Sequence, residues 1–183
     1  MLSKIYLMTA YVMAAMPARA AGLLQGKKGE IGVYVYVLGM MYGYSSANMK
    51  WIYKQMLLET AFGESNGVIN RKNAFGMSCV NVRQNTQIGC ERVSPVETQG
   101  VYKNLFDSVV DRYMWDNYWN LDGAKRSDSY REDVSNIYHT SAAYADNVSA
   151  TPAPGWTVAK TCAMVGVPLE ILAIQKIWKY FLN

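Results

Sequence analysis

A stripe of apolar residues that ends on an acid sets the terms for this chain. Met49, Ile52, Met56, Glu59 and Gly63 recur at steps of three, four, three and four, which is one face of a helix. The spacing predicts a helix over about 47–62. A carboxylate on that face is disfavoured by desolvation unless the site uses it. Burial favours the neutral form and raises a carboxyl pKa, as a general acid near neutral pH requires. A glycine and small polar residues follow closely in Thr60-Ala61-Phe62-Gly63-Glu64-Ser65, so the helix ends beside the acid and leaves room for a ligand. The same pattern also fits a helix-end glutamate that faces solvent.

The rest of the chain reads as helical with one interruption. Phe106, Val109, Val110, Tyr113 and Met114 share a face over about 106–119. Shorter helices fit 129–137 and 142–150, and a short helical or extended segment fits Asn73–Met77. Between them, Val80 and Val82 alternate, a polar stretch follows, and Cys90-Glu91-Arg92-Val93 returns. This reads as a hairpin over Cys79–Val93 with its tip at Arg83–Gly89. Its two cysteines either bond across it, which implies an oxidising compartment, or remain thiols. The expected fold class is a mainly α (α+β) domain with a cleft between lobes.

Three divisions follow from composition. Residues 1–45 form an apolar, glycine-punctuated extension, residues 46–150 the core, and residues 151–183 a helical amphipathic tail that starts at the breaker cluster Thr151-Pro152-Ala153-Pro154-Gly155. Lys4, the apolar run Ile5–Met16 and Ala18-Arg19-Ala20 are signal-like or form an anchoring helix. The apolar stretches Ile31–Tyr44 and Thr161–Leu169 fall short of the ~20 residues that span a bilayer, so both are expected to dock.

Composition narrows the function classes. Half of the 183 residues are hydrophobic, 17% are charged, and Tyr (14), Met (11) and Trp (5) are abundant. Aromatics with polar tips suit a sugar-handling groove, and equally an ordinary core. The net charge of +4 is mild, and no basic run interleaves with aromatics, so no nucleic-acid partner is expected. Three cysteines without a CxxC pair and a single histidine, His139, do not make a structural zinc site.

Three blocks resemble a known family in order and spacing. Leu57-Leu58-Glu59-Thr60-Ala61-Phe62-Gly63-Glu64-Ser65 is similar to LLESGWGTS. Asn73-Ala74-Phe75-Gly76-Met77 is similar to NLFGI. Tyr138-His139-Thr140-Ser141-Ala142-Ala143-Tyr144-Ala145-Asp146 is similar to YATDPNYAD. These are motifs of the family-73 glucosaminidases, lysozyme-like peptidoglycan hydrolases. Tyr102-Lys103 and Phe106–Tyr113 resemble the segment after the family's hairpin, so the likeness covers about 47–150.

The resemblance implies a lysozyme-like helical domain with a small hairpin lobe, no cofactor and no metal. Its substrate would be the glycan strands of peptidoglycan. Glu59 would be the general acid and Tyr138 would hydrogen-bond that acid or the substrate's acetamido group. Asn73, Phe75 and Tyr102 would shape the substrate cleft, with the hairpin as its opposite wall. Glu64 has no family counterpart and reads as a solvated or capping residue. Glycosidases generally use a second carboxylate, yet the tip 83–89 has no acid. Glu91 and Glu97 are the nearby candidates. Without them, the substrate's N-acetyl group or its 6-hydroxyl would complete a one-acid mechanism, the latter giving a lytic transglycosylase. The resemblance implies an extracytoplasmic location, in periplasm or cell wall; the apolar flanks separately suggest delivery as part of a larger particle, a phage virion or an envelope machine, with the termini meeting virion or envelope proteins. Two other classes compete. One is a non-catalytic glycan-binding or structural protein on the same fold, and the other is a small membrane-surface or pore protein.

Overall fold

The computed structural model describes residues 26–139 and 141–153. The signal-like run, the C-terminal tail and Thr140 of the third block lie outside the described residues. Among the described residues, the elements in chain order are helix α1 (Gly26–Tyr42), α2 (Ser46–Glu59), α3 (Asn66–Asn70), strands β1 (Gly89–Arg92) and β2 (Thr98–Val101), α4 (Leu105–Tyr118), a 3₁₀ turn (Leu121–Gly123), α5 (Tyr130–Tyr138) and α6 (Tyr144–Ala150). The fold is mainly helical with one two-stranded antiparallel hairpin, as the sequence predicts. No described helix is long and apolar enough to cross a membrane.

Helix α2 starts at Ser45, whose hydroxyl accepts from the Asn48 N–H at 3.2 Å, a side-chain N-cap. Its stripe is buried as expected: Met49, Ile52 and Met56 sit in the core with Trp51, Tyr53 and Leu57. The helix stops at Glu59, before the expected Phe62. Thr60 closes it, accepting the Gly63 N–H on its hydroxyl at 2.9 Å. Ala61, Phe62 and Gly63 then all take positive φ, at 47°, 60° and 86°. Consecutive left-handed residues cannot continue a right-handed helix.

Helix α1 packs on α2 and α4 and buries Ile31, Val35 and Leu38. The Ile31–Tyr44 stretch therefore docks within this protein. A Cβ on Gly39 would lie 2.5 Å from Met49 Cγ and 2.7 Å from the Tyr113 hydroxyl, so the absence of a side chain lets the helices approach. Helix α4 is capped by Asn104, which accepts from the Asp107 N–H at 2.9 Å. It buries Phe106, Val109, Val110 and Tyr113.

The hairpin differs from its sequence reading. The paired strands are β1 and β2, with Cys90 opposite Gly100 and Glu91 opposite Gln99, so the hairpin spans 89–101 rather than 79–93. The segment before it pairs with the hairpin at an isolated bridge between Ser78 and Gln99. Val82 is 72% exposed and Val80 only half-buried, so the alternation that suggested a strand does not line a core there. Polar side chains satisfy that loop instead. Asn85 Nδ2 donates to the carbonyls of Val80 and Arg83, and Gln87 Nε2 donates to the Ser78 carbonyl. Cys79 and Cys90 are bonded to each other and close the loop, although they are not cross-strand partners.

Candidate active site

Glu59 is the last residue of α2 and is half-buried. Burial raises its pKa above the ordinary carboxyl value, against lowering contributions from a Tyr144 hydrogen bond and from His139. The helix C-terminus, with its partial negative charge, acts in the same direction as burial. Tyr144 donates its hydroxyl proton to Glu59 Oε1 at 2.5 Å. The other oxygen, Oε2, faces Gly76, where an added Cβ would sit 3.6 Å away. Gly76 has φ +63°, a conformation that glycine adopts without strain.

Aromatic rings hold this corner. Tyr138 stacks on Tyr144 with centroids 5.9 Å apart, and the exposed His139 ring lies parallel to Tyr144 at 4.8 Å. His139 Nδ1 accepts from the Ser141 N–H at 3.0 Å. Tyr138 does not bond the acid. Its hydroxyl donates to the Phe75 carbonyl and meets Met77 Sδ at 3.7 Å. Burial and then the Glu59 charge raise the Tyr138 pKa, and burial, Tyr138 and Glu59 raise that of Tyr144. Both are therefore protonated donors over the whole working range.

The second block forms the turn that presents Gly76. Asn73 is buried and its Oδ1 accepts from the Met77 N–H at 2.9 Å, while its Nδ2 donates to the carbonyls of Met77 and Gly100. Asn73 thus ties this turn to β2. Phe75 is fully buried. Tyr102 is buried too, and its hydroxyl donates to Asp111 Oδ2 at 2.6 Å. All three side chains are buried, and none of them bonds Glu59.

The other two acids have partners of their own. Glu91 lies on exposed β1 and pairs with Arg71 at 2.9 Å. Glu97 is exposed in the hairpin turn and accepts from Gln99 Nε2 at 2.7 Å. Glu64 is exposed. No carboxylate is among the causes of the Glu59 shift. Among the described residues, no group of three or more His, Cys, Asp or Glu gathers as a metal site would.

Sequence reasoning missed the residues behind Tyr144. Gln55 is fully buried one helical turn before Glu59, and its Nε2 donates to the Tyr144 oxygen at 3.1 Å. Arg112, also fully buried, donates from Nε to Gln55 Oε1 at 3.1 Å. Arg112 Nη1 pairs with Asp116 Oδ1. Asp116 Oδ2 accepts the hydroxyls of Tyr44 at 2.7 Å and Tyr130 at 2.6 Å. The guanidinium carbon lies 4.9 Å from the Trp115 ring and 5.8 Å from that of Tyr138, within cation–π range. The available signals were the i,i+4 spacings Gln55–Glu59 and Arg112–Asp116, and Tyr144 at the end of the third block.

No family model matches the chain, and no curated protein matches it. Among solved structures, a chain of a type VI secretion system effector–immunity complex from Pseudomonas protegens is similar. It is 14% identical with a TM-score of 0.45, covering 77% of this chain and 98% of that one. A likeness at this level says nothing about what this chain acts on.

Proposed function

We propose that this protein is a glycosidase that cuts the glycan strands of peptidoglycan, with Glu59 as general acid. The observation that carries the reading is the state of Glu59: half-buried at a helix end, with its pKa raised and one oxygen held by Tyr144. A carboxyl whose pKa burial raises holds its proton to higher pH and can give it to a glycosidic oxygen as the sugar gains oxocarbenium character. The three blocks similar to the family-73 glucosaminidases supply the substrate class. Residues 46–150 would be the catalytic domain, with the hairpin as the far wall of the glycan cleft.

A one-acid mechanism fits best. Glu91 and Glu97 are both exposed and engaged with Arg71 and Gln99. In this mechanism Glu59 gives its proton to the glycosidic oxygen and the bond from that oxygen to the anomeric carbon breaks. The substrate's acetamido oxygen or 6-hydroxyl then satisfies the cation at that carbon. Attack by the 6-hydroxyl releases its proton to the Glu59 carboxylate and leaves an anhydro sugar. Attack by the acetamido oxygen leaves a cationic five-membered ring; water then attacks the anomeric carbon, its proton passes to the Glu59 carboxylate, the ring opens and the reducing sugar is restored. Tyr138 would help to position the acetamido group.

The Cys79–Cys90 disulfide supports an oxidising, extracytoplasmic location, where this substrate lies. The test is lysis of purified cell walls by wild type and Glu59→Gln. The variant is expected to fold normally and to lose about 10²–10⁴-fold in rate. A folded Glu59→Gln protein that lyses walls like wild type would refute the assignment. Mass spectrometry of the products separates reducing from anhydro ends and identifies the bond cut.

A further inference from the structure

We infer that Gln55 is a positioning residue which, through Tyr144, decides which oxygen of Glu59 carries the acid proton. This rests on the reading of Glu59 as general acid. The chain from Arg112 to Glu59 has a direction because its first member has no choice. A guanidinium only donates. Gln55 must therefore turn its carbonyl oxygen to Arg112 Nε, which aims its amide Nε2 at Tyr144.

The Tyr144 oxygen then accepts from Gln55, and its single proton goes to Glu59 Oε1. An oxygen that accepts there is not the one that holds a proton aimed at Tyr144. The neutral acid consequently carries its proton on Oε2, the oxygen beside Gly76. The far end of the chain is equally fixed. Asp116 grips Arg112 and is itself gripped by Tyr44 and Tyr130. Gln55, Arg112 and Asp116 are all fully buried, so each has to keep its protein partner.

Gln55→Glu reverses the direction with almost no change of shape. Arg112 still donates to one carboxylate oxygen. The other oxygen can only accept, so the Tyr144 proton turns toward it. The Tyr144 oxygen is then free to accept from Glu59, which moves the acid proton to Oε1, away from Gly76. The added negative charge also makes Glu59 harder to ionise. The variant should therefore keep Glu59 protonated to higher pH while making it a poorer acid. A role in packing alone would not produce that combination.

The experiment is a carbon-13 NMR titration of the Glu59 carboxyl beside kcat and KM on soluble peptidoglycan glycan fragments. The proteins are wild type, Gln55→Glu, Tyr144→Phe and the double variant. In Gln55→Glu the Glu59 midpoint is expected to rise by about one unit or more. Its kcat should fall about tenfold or more where Glu59 is protonated, with KM within about twofold. Tyr144→Phe removes the donor and also raises the midpoint. In that background Gln55→Glu should change kcat by less than about threefold, because the link between the two residues is gone. Wild-type kcat in Gln55→Glu, or an undiminished kcat loss in the Tyr144→Phe background, overturns the inference. If Gln55→Glu fails to fold, an unchanged midpoint in Tyr144→Phe overturns it. The titration is readable without turnover. The expected midpoints together with wall lysis by Glu59→Gln would sink the glycosidase reading and leave the chain from Arg112 standing.

Discussion

Gly76→Ala separates the backbone role of this glycine from its place beside the acid. At φ +63° an alanine sits in the left-handed region, which disfavours it by about 1–2 kcal/mol. Alanine also restricts the unfolded chain, which offsets about 0.4–1 kcal/mol. The added Cβ meets only Glu59 Oε2 at 3.6 Å, an ordinary contact, so no overlap contribution is added. The net loss is about 1 kcal/mol, or about 2–4 °C in Tm for a chain of this size. The methyl would nevertheless cover Oε2, the oxygen that faces the glycan in the proposed mechanism.

Wall lysis is therefore expected to fall by about ten- to a hundredfold, as small displacements at a reacting group do. Gly43→Ala is the control. It has φ +81° and nothing nearer than 3.8 Å to an added Cβ, the neighbours being Arg126 and Lys125. It should lose similar stability and keep its lysis. Thermal unfolding and lysis well below Tm, measured on both variants, give the comparison. Equal lysis by the two alanine variants would refute the placement of Oε2 toward the substrate.

Three further outcomes are expected. Cys79→Ser with Cys90→Ser should lose about 2–3 kcal/mol, from the release of a short closed loop, and reductant should bring wild type to the same Tm. Glu91→Gln and Glu97→Gln should each keep lysis within about threefold of wild type, with Glu91→Gln losing at most about 1 kcal/mol from its exposed pair with Arg71; a loss as severe as that of Glu59→Gln would restore a second acid. Because burial raises the Glu59 pKa, its stabilising contribution is complete below the unfolded value and is lost as pH rises through the folded one. Glu59→Gln should thus melt above wild type at about pH 8, and the gap should close by about pH 4.

Regular helices were legible because their faces are apolar at regular steps. Helix α4 at Leu105–Tyr118 and α5 at Tyr130–Tyr138 lie one residue from their expected bounds. The end of α2 was set too late because Ala61 and Phe62 extend the apolar composition, while their backbone has already turned left-handed. The hairpin was displaced because β1 is exposed along its length. A strand with neither face buried carries no period-two signal, and the two valines of the preceding loop supplied a false one. Glu59 was legible as an acid on an apolar face. Its partner was not, because the third block holds two tyrosines and sequence cannot say which ring turns inward. Tyr138 turns to the Phe75 carbonyl and Tyr144 to the acid.

The buried charges explain themselves only through direction. Arg112 and Asp116 are fully buried inside a mainly helical core, and such a pair is weak grounds for stability, since apolar residues of the same volume often do as well. Apolar residues cannot donate, however. Without Arg112, Gln55 is free to turn its amide over, Tyr144 is no longer obliged to face Glu59 as donor, and the acid proton has two equivalent oxygens. The same corner holds Ala61 and Phe62 in strained left-handed backbone, followed by Gly63, which adopts it freely, and α2 ends at Glu59 rather than carrying the acid into another turn. A buried donor chain holds Oε1 on one side, and α2 ends at the acid itself, so that Oε2 is the oxygen beside Gly76.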